Sequence, residues 1–167
     1  MLIRIRIQRA AKGARFVHPM DPSPRTAILV PGFQQGKTIR VFPNGWDHHV
    51  ERFKPQCIVA PVEMLRALTA RDLRLEHAVI AFTYQDDPGV SSADRDLFWR
   101  AFGVPVFEQY LSADNKLLAM ECDAHAGLHV VRGCEDFALE REACPCGQRT
   151  PRISRGSRVD ELVELLA

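Results

Sequence analysis

No stretch of this sequence stays apolar for the ~20 consecutive residues that a membrane-crossing helix needs, so no membrane role is expected. The N-terminus lacks a long apolar core followed by a small-residue cleavage site, so secretion is not expected either. An even complement of cysteines is also missing. Five is an odd number, which argues against a closed disulfide framework and fits reduced thiols in a cytoplasmic protein. There is no internal repeat and no low-complexity linker. A strong excess of one charge is absent: the net charge is +1, whereas dedicated nucleic-acid binders carry a marked basic surplus. Nucleic acid is therefore disfavoured as a partner. Arg152, Arg155, Arg158 and the arginine-rich start of the chain are the only residues that suggest it.

Acids are missing from the first twenty residues, where Arg4, Arg6, Arg9, Lys12 and Arg15 lie. In "LIRIRIQ", Ile3, Ile5 and Ile7 alternate with Arg4 and Arg6, the period of a half-buried strand. Charges of this kind on an edge strand discourage pairing with other chains.

What is present is ordinary globular material. The chain has 167 residues, 46% hydrophobic and 26% charged, enough for one domain with a core. "TAILV" (26–30) and "TIRVF" (38–42) read as strands, joined by "PGFQQGK" as a hairpin turn. "WDHHVERF" (46–53) reads as a short helix. "QCIVA" (56–60), "AVIAFTY" (78–84) and "VPVFEQY" (104–110) read as strands. Between them, "PVEMLRALTA" (61–70) and "SSADRDLFWRAF" (91–102) read as helices. Pro61 suits the first turn of the former. A Ser91-to-Asp94 cap opens the latter, with Leu97, Phe98 and Phe102 on its apolar face. Strand, helix, strand, helix, strand predicts a parallel sheet with right-handed crossovers.

After Tyr110 the pattern changes. "KLLAMEC" (116–122), "GLHVV" (127–131) and "DFALE" (136–140) read as short antiparallel strands, and "RVDELVELLA" (158–167) as a closing helix. The predicted fold class is α/β: a partial parallel sheet with a βαβαβ unit, then a small zinc-stapled antiparallel β segment and a C-terminal helix. The boundaries fall at 1–110 and 111–167, within one compact unit.

Between Glu121 and Gly147 the chain places Cys122, Cys134, Cys144 and Cys146, with His125 and His129. Cys144 and Cys146 share a Cys-Pro-Cys-Gly turn, in which Pro145 is stiff and Gly147 can turn left-handed. Two thiolates in such a turn grip one ion from one side. Cys122 ends one predicted strand and His129 lies in the next, so both can face a common point. Three thiolates and one imidazole form a tetrahedral zinc set, and soft sulfur ligands favour zinc over hard cations. A filled set of four has no open position, so its role is structural. A catalytic zinc would hold three protein ligands and a water. His125 or Cys134 could replace one of the four, and zinc is not distinguished here from another soft metal. Cys57, inside an apolar strand, reads as a buried hydrophobe.

The segments "FKPQCIVAPVEMLRAL", "EQYLSADNKLLAMECDAHAGLHV" and "CPCGQRTPRI" together resemble the phenylacetate–coenzyme A ligase branch of the adenylate-forming (AMP-binding) enzymes. The likeness spans about residues 50–155 and is most specific around the metal ligands. In some members of that branch a zinc is held at the positions that correspond to Cys122, His129, Cys144 and Cys146, the set also reached from spacing. The resemblance implies an adenylating ancestor, but the sequence departs from it. The family's Tyr-Gly-x-Thr-Glu motif reads Tyr110-Leu111-Ser112-Ala113-Asp114 here. Tyr110 is a degenerate match to the nucleotide motif, and Asp114 a degenerate match to the magnesium-binding glutamate. Magnesium tolerates little geometric error, so the shorter side chain is a poor substitute. The ribose-binding aspartate has no counterpart between Val130 and Ala143. The Ser/Thr/Gly-rich phosphate loop and the C-terminal domain with its lysine are not found. "GFQQGKT" (32–38) falls one residue short of a P-loop and leads into a strand, not a helix.

ATP with magnesium, and coenzyme A, are therefore not expected as cofactors; structural zinc is. The expected function is a non-catalytic relative of that ligase, a pseudoenzyme with a ligand-binding or protein-interaction role. A small aromatic or acyl carboxylate is the expected ligand. The alternative is an enzyme acting on acyl or aryl carboxylates or their thioesters, with a partner chain supplying the missing domain or with zinc as hydrolytic metal. Val104, Val106, Phe107 and Trp99 are candidates for an uncovered apolar face, which would call for a homodimer or another partner protein. Asp47, His48 and His49 are a conceivable second metal group, more simply read as a polar helix face.

Overall fold

The computed structural model describes residues 13–154. The strand expected at 3–7 and the helix expected at 158–167 lie outside the described residues, as do Arg155 and Arg158.

The chain alternates as the hydrophobic pattern requires. Strands β1 (Thr26–Ile28) and β2 (Ile39–Val41) precede helix α1 (His48–Phe53). Then follow β3 (Cys57–Pro61), α2 (Val62–Leu68), β4 (Ala78–Thr83), α3 (Ser92–Phe102) and β5 (Val106–Leu111). Strands β6 (Leu117–Glu121), β7 (Leu128–Val130) and β8 (Arg152–Ile153) complete one eight-stranded sheet in the order β2-β1-β3-β4-β5-β6-β7-β8. Pairing from β2 to β5 is parallel, and from β5 to β8 antiparallel. The switch falls at Tyr110, as the change of sequence character indicates, with a register shift between Tyr110 and Leu111.

The central strands are buried on both faces, which is why "CIVA" and "AVIAF" are unbroken apolar runs. β3, β4 and β5 lie side by side in chain order. Crossovers of one hand then place α2 and α3 on the same face. There Phe98 and Phe102 of α3 and Leu65 of α2 pack on Ile58, Val79 and Val106. Among the described residues no helix covers the opposite face. Phe16 and Phe33, from the segment before and after β1, pack there on Phe82, Ile80 and Phe107. The Phe33 and Phe82 rings stack with centroids 5.0 Å apart. Gln109, fully buried on this face, donates from Nε2 to the Val17 carbonyl at 2.7 Å and ties the N-terminal segment down.

The helix termini follow their sequence signals. Asp47 caps α1 by accepting from the His49 and Val50 amides. Ser91 caps α3 by accepting from the Asp94 amide. Pro61 stands just before α2, at its cap position.

Several expectations are corrected. "PGFQQGK" is not a hairpin turn, because β2 runs parallel to β1. The chain leaves β1, pairs Phe33 with Ala14, and returns across the sheet end to re-enter beside β1. The strand expected at 136–140 does not form. Gly133 and Cys134 both take positive φ, 65° and 71°, so the chain coils there and the Phe137 amide closes a turn on the Cys134 carbonyl. Glu140 bridges to Arg152 of β8, a strand the periodicity did not reveal. Leu97 is exposed, one residue off the stripe that buries Phe98 and Phe102. Val104, Val106 and Phe107 are buried, leaving only Trp99 of the expected apolar face outside the core. Arg152, weighed as a surface cation, is buried; it pairs with Glu140 and donates to the Ala126 carbonyl. Among the described residues no helix is long and apolar enough to cross a membrane.

Candidate metal centre

The antiparallel half of the sheet brings the soft ligands together. His129 stands opposite Met120 across the β6–β7 pair. Side chains alternate along a strand, so Cys122, two residues beyond Met120, lies on the same face as His129. The intervening turn closes at Gly127, whose φ is 91°. A Cβ there would sit 3.0 Å from the Ile153 carbonyl oxygen, so glycine is what lets β7 and β8 approach. The second pair of ligands arrives on the Cys144–Gly147 turn. The Gly147 amide donates to the Cys144 carbonyl at 2.8 Å, and Gly147 takes φ 89°, as its place after Cys-Pro-Cys predicts.

Four ligand atoms converge: the sulfurs of Cys122, Cys144 and Cys146 and a ring nitrogen of His129 lie within 4.8 Å of one another. Cys122 Sγ is 3.6 Å from Cys144 Sγ, and Cys146 Sγ is 3.4 Å from His129 Nε2. Zinc bonds of about 2.3 Å to sulfur and 2.0–2.1 Å to nitrogen, at tetrahedral angles, put ligand atoms about 3.8 Å (S to S) and 3.6 Å (S to N) apart. These two spacings match within about 0.2 Å, and the other pairs lie within 4.8 Å. The cluster could therefore hold a metal ion, and its donor set is compatible with zinc.

The surroundings suit the same purpose. His129 Nδ1 lies 2.7 Å from Thr150 Oγ1. A ring that donates from Nδ1 to that hydroxyl keeps its Nε2 lone pair for the cluster. The Cys146 backbone amide beside the Cys144 sulfur holds that thiol down to about 6, with Cys146, His129 and Cys122 side chains adding to the effect. Burial pushes the Cys122 thiol up to about 11. The Cys144 sulfur is thus prepared as a thiolate, and an incoming cation displaces the proton of Cys122.

The competing candidates go elsewhere. His125 faces Glu121 Oε1 at 3.2 Å and lies against the Phe107 ring. Cys134 is buried beside Phe137 and Tyr110 and donates to the Arg132 carbonyl. Cys57 is fully buried in β3, and burial pushes its thiol up to about 12. The atoms of Asp47, His48 and His49 also lie within 4.8 Å of one another. However, Asp47 Oδ1 is committed to capping α1 and both histidines are exposed, so this is the polar start of a helix.

The degenerate nucleotide motif does not present a site. Tyr110 is buried in β5 with its ring edge-on to Phe137. Asp114 is exposed and bound to Lys116 Nζ at 2.7 Å and Ser112 Oγ at 2.5 Å. The Lys116 ammonium, with Ser112, holds its carboxyl below the usual range. A lysine occupies the place where a cation would be needed, so these residues do not fit magnesium-bound nucleotide. In open α/β sheets ligands bind beyond the carboxyl ends of the strands. Here Asn115 at that end lies against Gly32 and accepts from the Tyr84 hydroxyl.

Sequence reasoning missed Thr150, which lies four residues past Cys146 and carries no motif. It also missed the buried carboxylates Glu108 and Glu121, which sit in apolar strands without any local signal.

The structure is thus a mixed α/β fold with an eight-stranded sheet and a Cys3His cluster at its antiparallel end. Its architecture is similar to that of a solved acyl-CoA ligase, an open conformation of 2-hydroxyisobutyryl-CoA ligase in complex with 2-HIB-AMP and CoA. The TM-score is 0.58 at 12% sequence identity, covering 86% of this chain and 47% of that one. At this identity the likeness shows the fold alone, and the chain spans about half the length of that ligase. No protein-family model and no curated protein matches the chain.

Proposed function

We propose that this chain is a zinc-stapled α/β module derived from the phenylacetate–coenzyme A ligase branch of adenylate-forming enzymes. In this reading it works as a binding or scaffold element and does not adenylate. The observation that carries it is the convergence of Cys122, His129, Cys144 and Cys146, whose ligand atoms lie within 4.8 Å of one another. Zinc there would tie the coil after β7 and the Cys144 turn to the sheet, contributing folding energy and no reactive position. The segment from residue 111 onward is then a stapled extension of the α/β core.

Loss of adenylation rests on Tyr110 and Asp114. Stabilising a transferring phosphoryl group needs a positioned cation, and Asp114 is bound to lysine instead. A small aromatic or acyl carboxylate, a second copy of the chain, or a partner protein is the proposed binding partner.

The test combines two assays on purified protein. Metal analysis should give one zinc per chain. ATP–pyrophosphate exchange with phenylacetate and magnesium should stay at background. Stoichiometric zinc with no exchange is the expected result; robust exchange by the isolated chain would refute the non-catalytic reading.

A further inference from the structure

The described chain ends at a cleft of about 760 Å³ beside α3, where the sheet continues past the helix from β5 to β8. Ile153 and Ser154, the last described residues, form part of its lining. Trp99, Pro88, Pro105 and Val90 add an apolar wall. Trp99 is 55% exposed, although Phe98 beside it is fully buried, and both prolines are exposed as well. The described residues hold no helix after α3 that could cover this wall. An open apolar wall of this kind marks a surface that something else covers.

The sequence that follows carries a matching face. In "RGSRVDELVELLA" (155–167), Val159, Leu162, Val163 and Leu166 recur at i, i+3, i+4 and i+7, the spacing of one helical stripe. Ser157 and Asp160 repeat the Ser-x-x-Asp spacing with which Ser91 and Asp94 open α3. Gly156, just before them, suits a sharp reversal. Strand direction decides where a reversal leads. Directions alternate from β5 to β8, so β8 runs opposite to β5. α3 joins the parallel strands β4 and β5, so it too runs opposite to β5. A chain that turns back after β8 therefore lies antiparallel to α3, the arrangement that short connections give neighbouring helices. Arg155 and Arg158 open the segment, and Asp96 in the cleft lining makes no ion pair among the described residues. With so short a tether the segment meets the cleft at a roughly millimolar effective concentration, ahead of a dilute free partner.

We infer that residues 158–167 fold back as an amphipathic helix antiparallel to α3 and fill this cleft, with the valine and leucine stripe against Trp99, Val90 and Pro105. The cleft is then an intramolecular seat and not a ligand site. His129 alternates with Leu128 along β7, and Leu128 lines the cleft, so the metal cluster lies on the other face of the sheet. The docking therefore rests on neither the metal nor the ligand proposed above.

The test follows Trp99 and residues 158–167 in the full chain. In a Trp46→Phe background Trp99 is the remaining tryptophan, and acrylamide should quench its emission weakly. Adding Leu162→Asp and Leu166→Asp together should raise that quenching severalfold, whereas two charges on a solvated segment would leave Trp99 unchanged. Hydrogen exchange on the chain with Trp46 intact gives a second reading, which decides the question should Trp46→Phe fail to fold. Amides of 158–167 should be protected, and Trp99→Ala should speed their exchange at least about tenfold without changing the amides of β4. Both effects should be independent of protein concentration. The inference is overturned by unprotected amides at 158–167, by quenching that the paired aspartates do not change, or by protection that Trp99→Ala does not alter. It is likewise overturned by protection that grows with concentration alongside a doubled mass in light scattering, which would seat the segment on a second copy.

Discussion

Thr150 offers a sharp test of the metal centre, because it touches the cluster only through His129. Its hydroxyl lies 2.7 Å from His129 Nδ1, and the other ring nitrogen lies 3.4 Å from Cys146 Sγ. Replacing threonine by valine keeps shape and removes the acceptor. Loss of such an outer partner typically costs 10- to 100-fold in metal affinity. Thr150 is exposed, so water can take up part of its role, and the expected loss is near the lower figure. About tenfold corresponds to about 1.4 kcal/mol. Competition for zinc against a chromophoric chelator at fixed pH measures this directly. Thr150→Ser keeps the hydroxyl and should bind like the parent. The stability of the metal-free protein should be the same for all three, since the contact orients a ligand and does not hold a core. An affinity for the valine variant indistinguishable from the parent would refute the argument that this hydroxyl fixes the imidazole for metal.

Other consequences follow from packing and charge. Phe98, fully buried between α3 and the sheet, should cost about 3–5 kcal/mol when changed to alanine, read as a lowered urea midpoint. The Arg66 guanidinium, bonded to Asp94 at 2.7 Å, holds that carboxyl at about 2 against an ordinary 3.8. Because the folded value is depressed, this stabilisation is present above pH 4 and lost as pH falls toward 2. It contributes roughly 1–2 kcal/mol, after allowance for the half-exposed arginine. Arg66→Ala should therefore move the acid-unfolding midpoint upward, and an unchanged midpoint would count against the bridge. Alkylation followed by mass spectrometry should leave Cys122, Cys144 and Cys146 unmodified in zinc-loaded protein. Chelation should expose Cys146 first, and Cys57 should react only on unfolding.

Much of this architecture could be read from local pattern. The βαβαβ unit was legible because Cys57–Ala60 and Ala78–Phe82 are unbroken apolar runs, and because Ser91 and Gly103 bracket α3. The four soft ligands were legible because Cys-Pro-Cys-Gly has no packing purpose of its own. What escaped was set by distant contacts. The direction of β2 depends on Phe33 packing against Phe82 and pairing with Ala14, which the "PGFQQGK" turn residues do not encode. β8 is two residues long and exists through its pairing with β7. Glu108 and Glu121 look like exposed strand positions by composition. Only the fold shows that β6 sets Glu121 beside the Glu108 amide, with Arg95 of α3 reaching both.

X-ray absorption at the zinc edge of the purified protein tests the central claim most directly. The account predicts one ion per chain, bound by three sulfurs at about 2.3 Å and one nitrogen at about 2.0–2.1 Å, with no oxygen in the inner shell. A sub-stoichiometric ion, or a shell with two sulfurs and coordinated water, would contradict it.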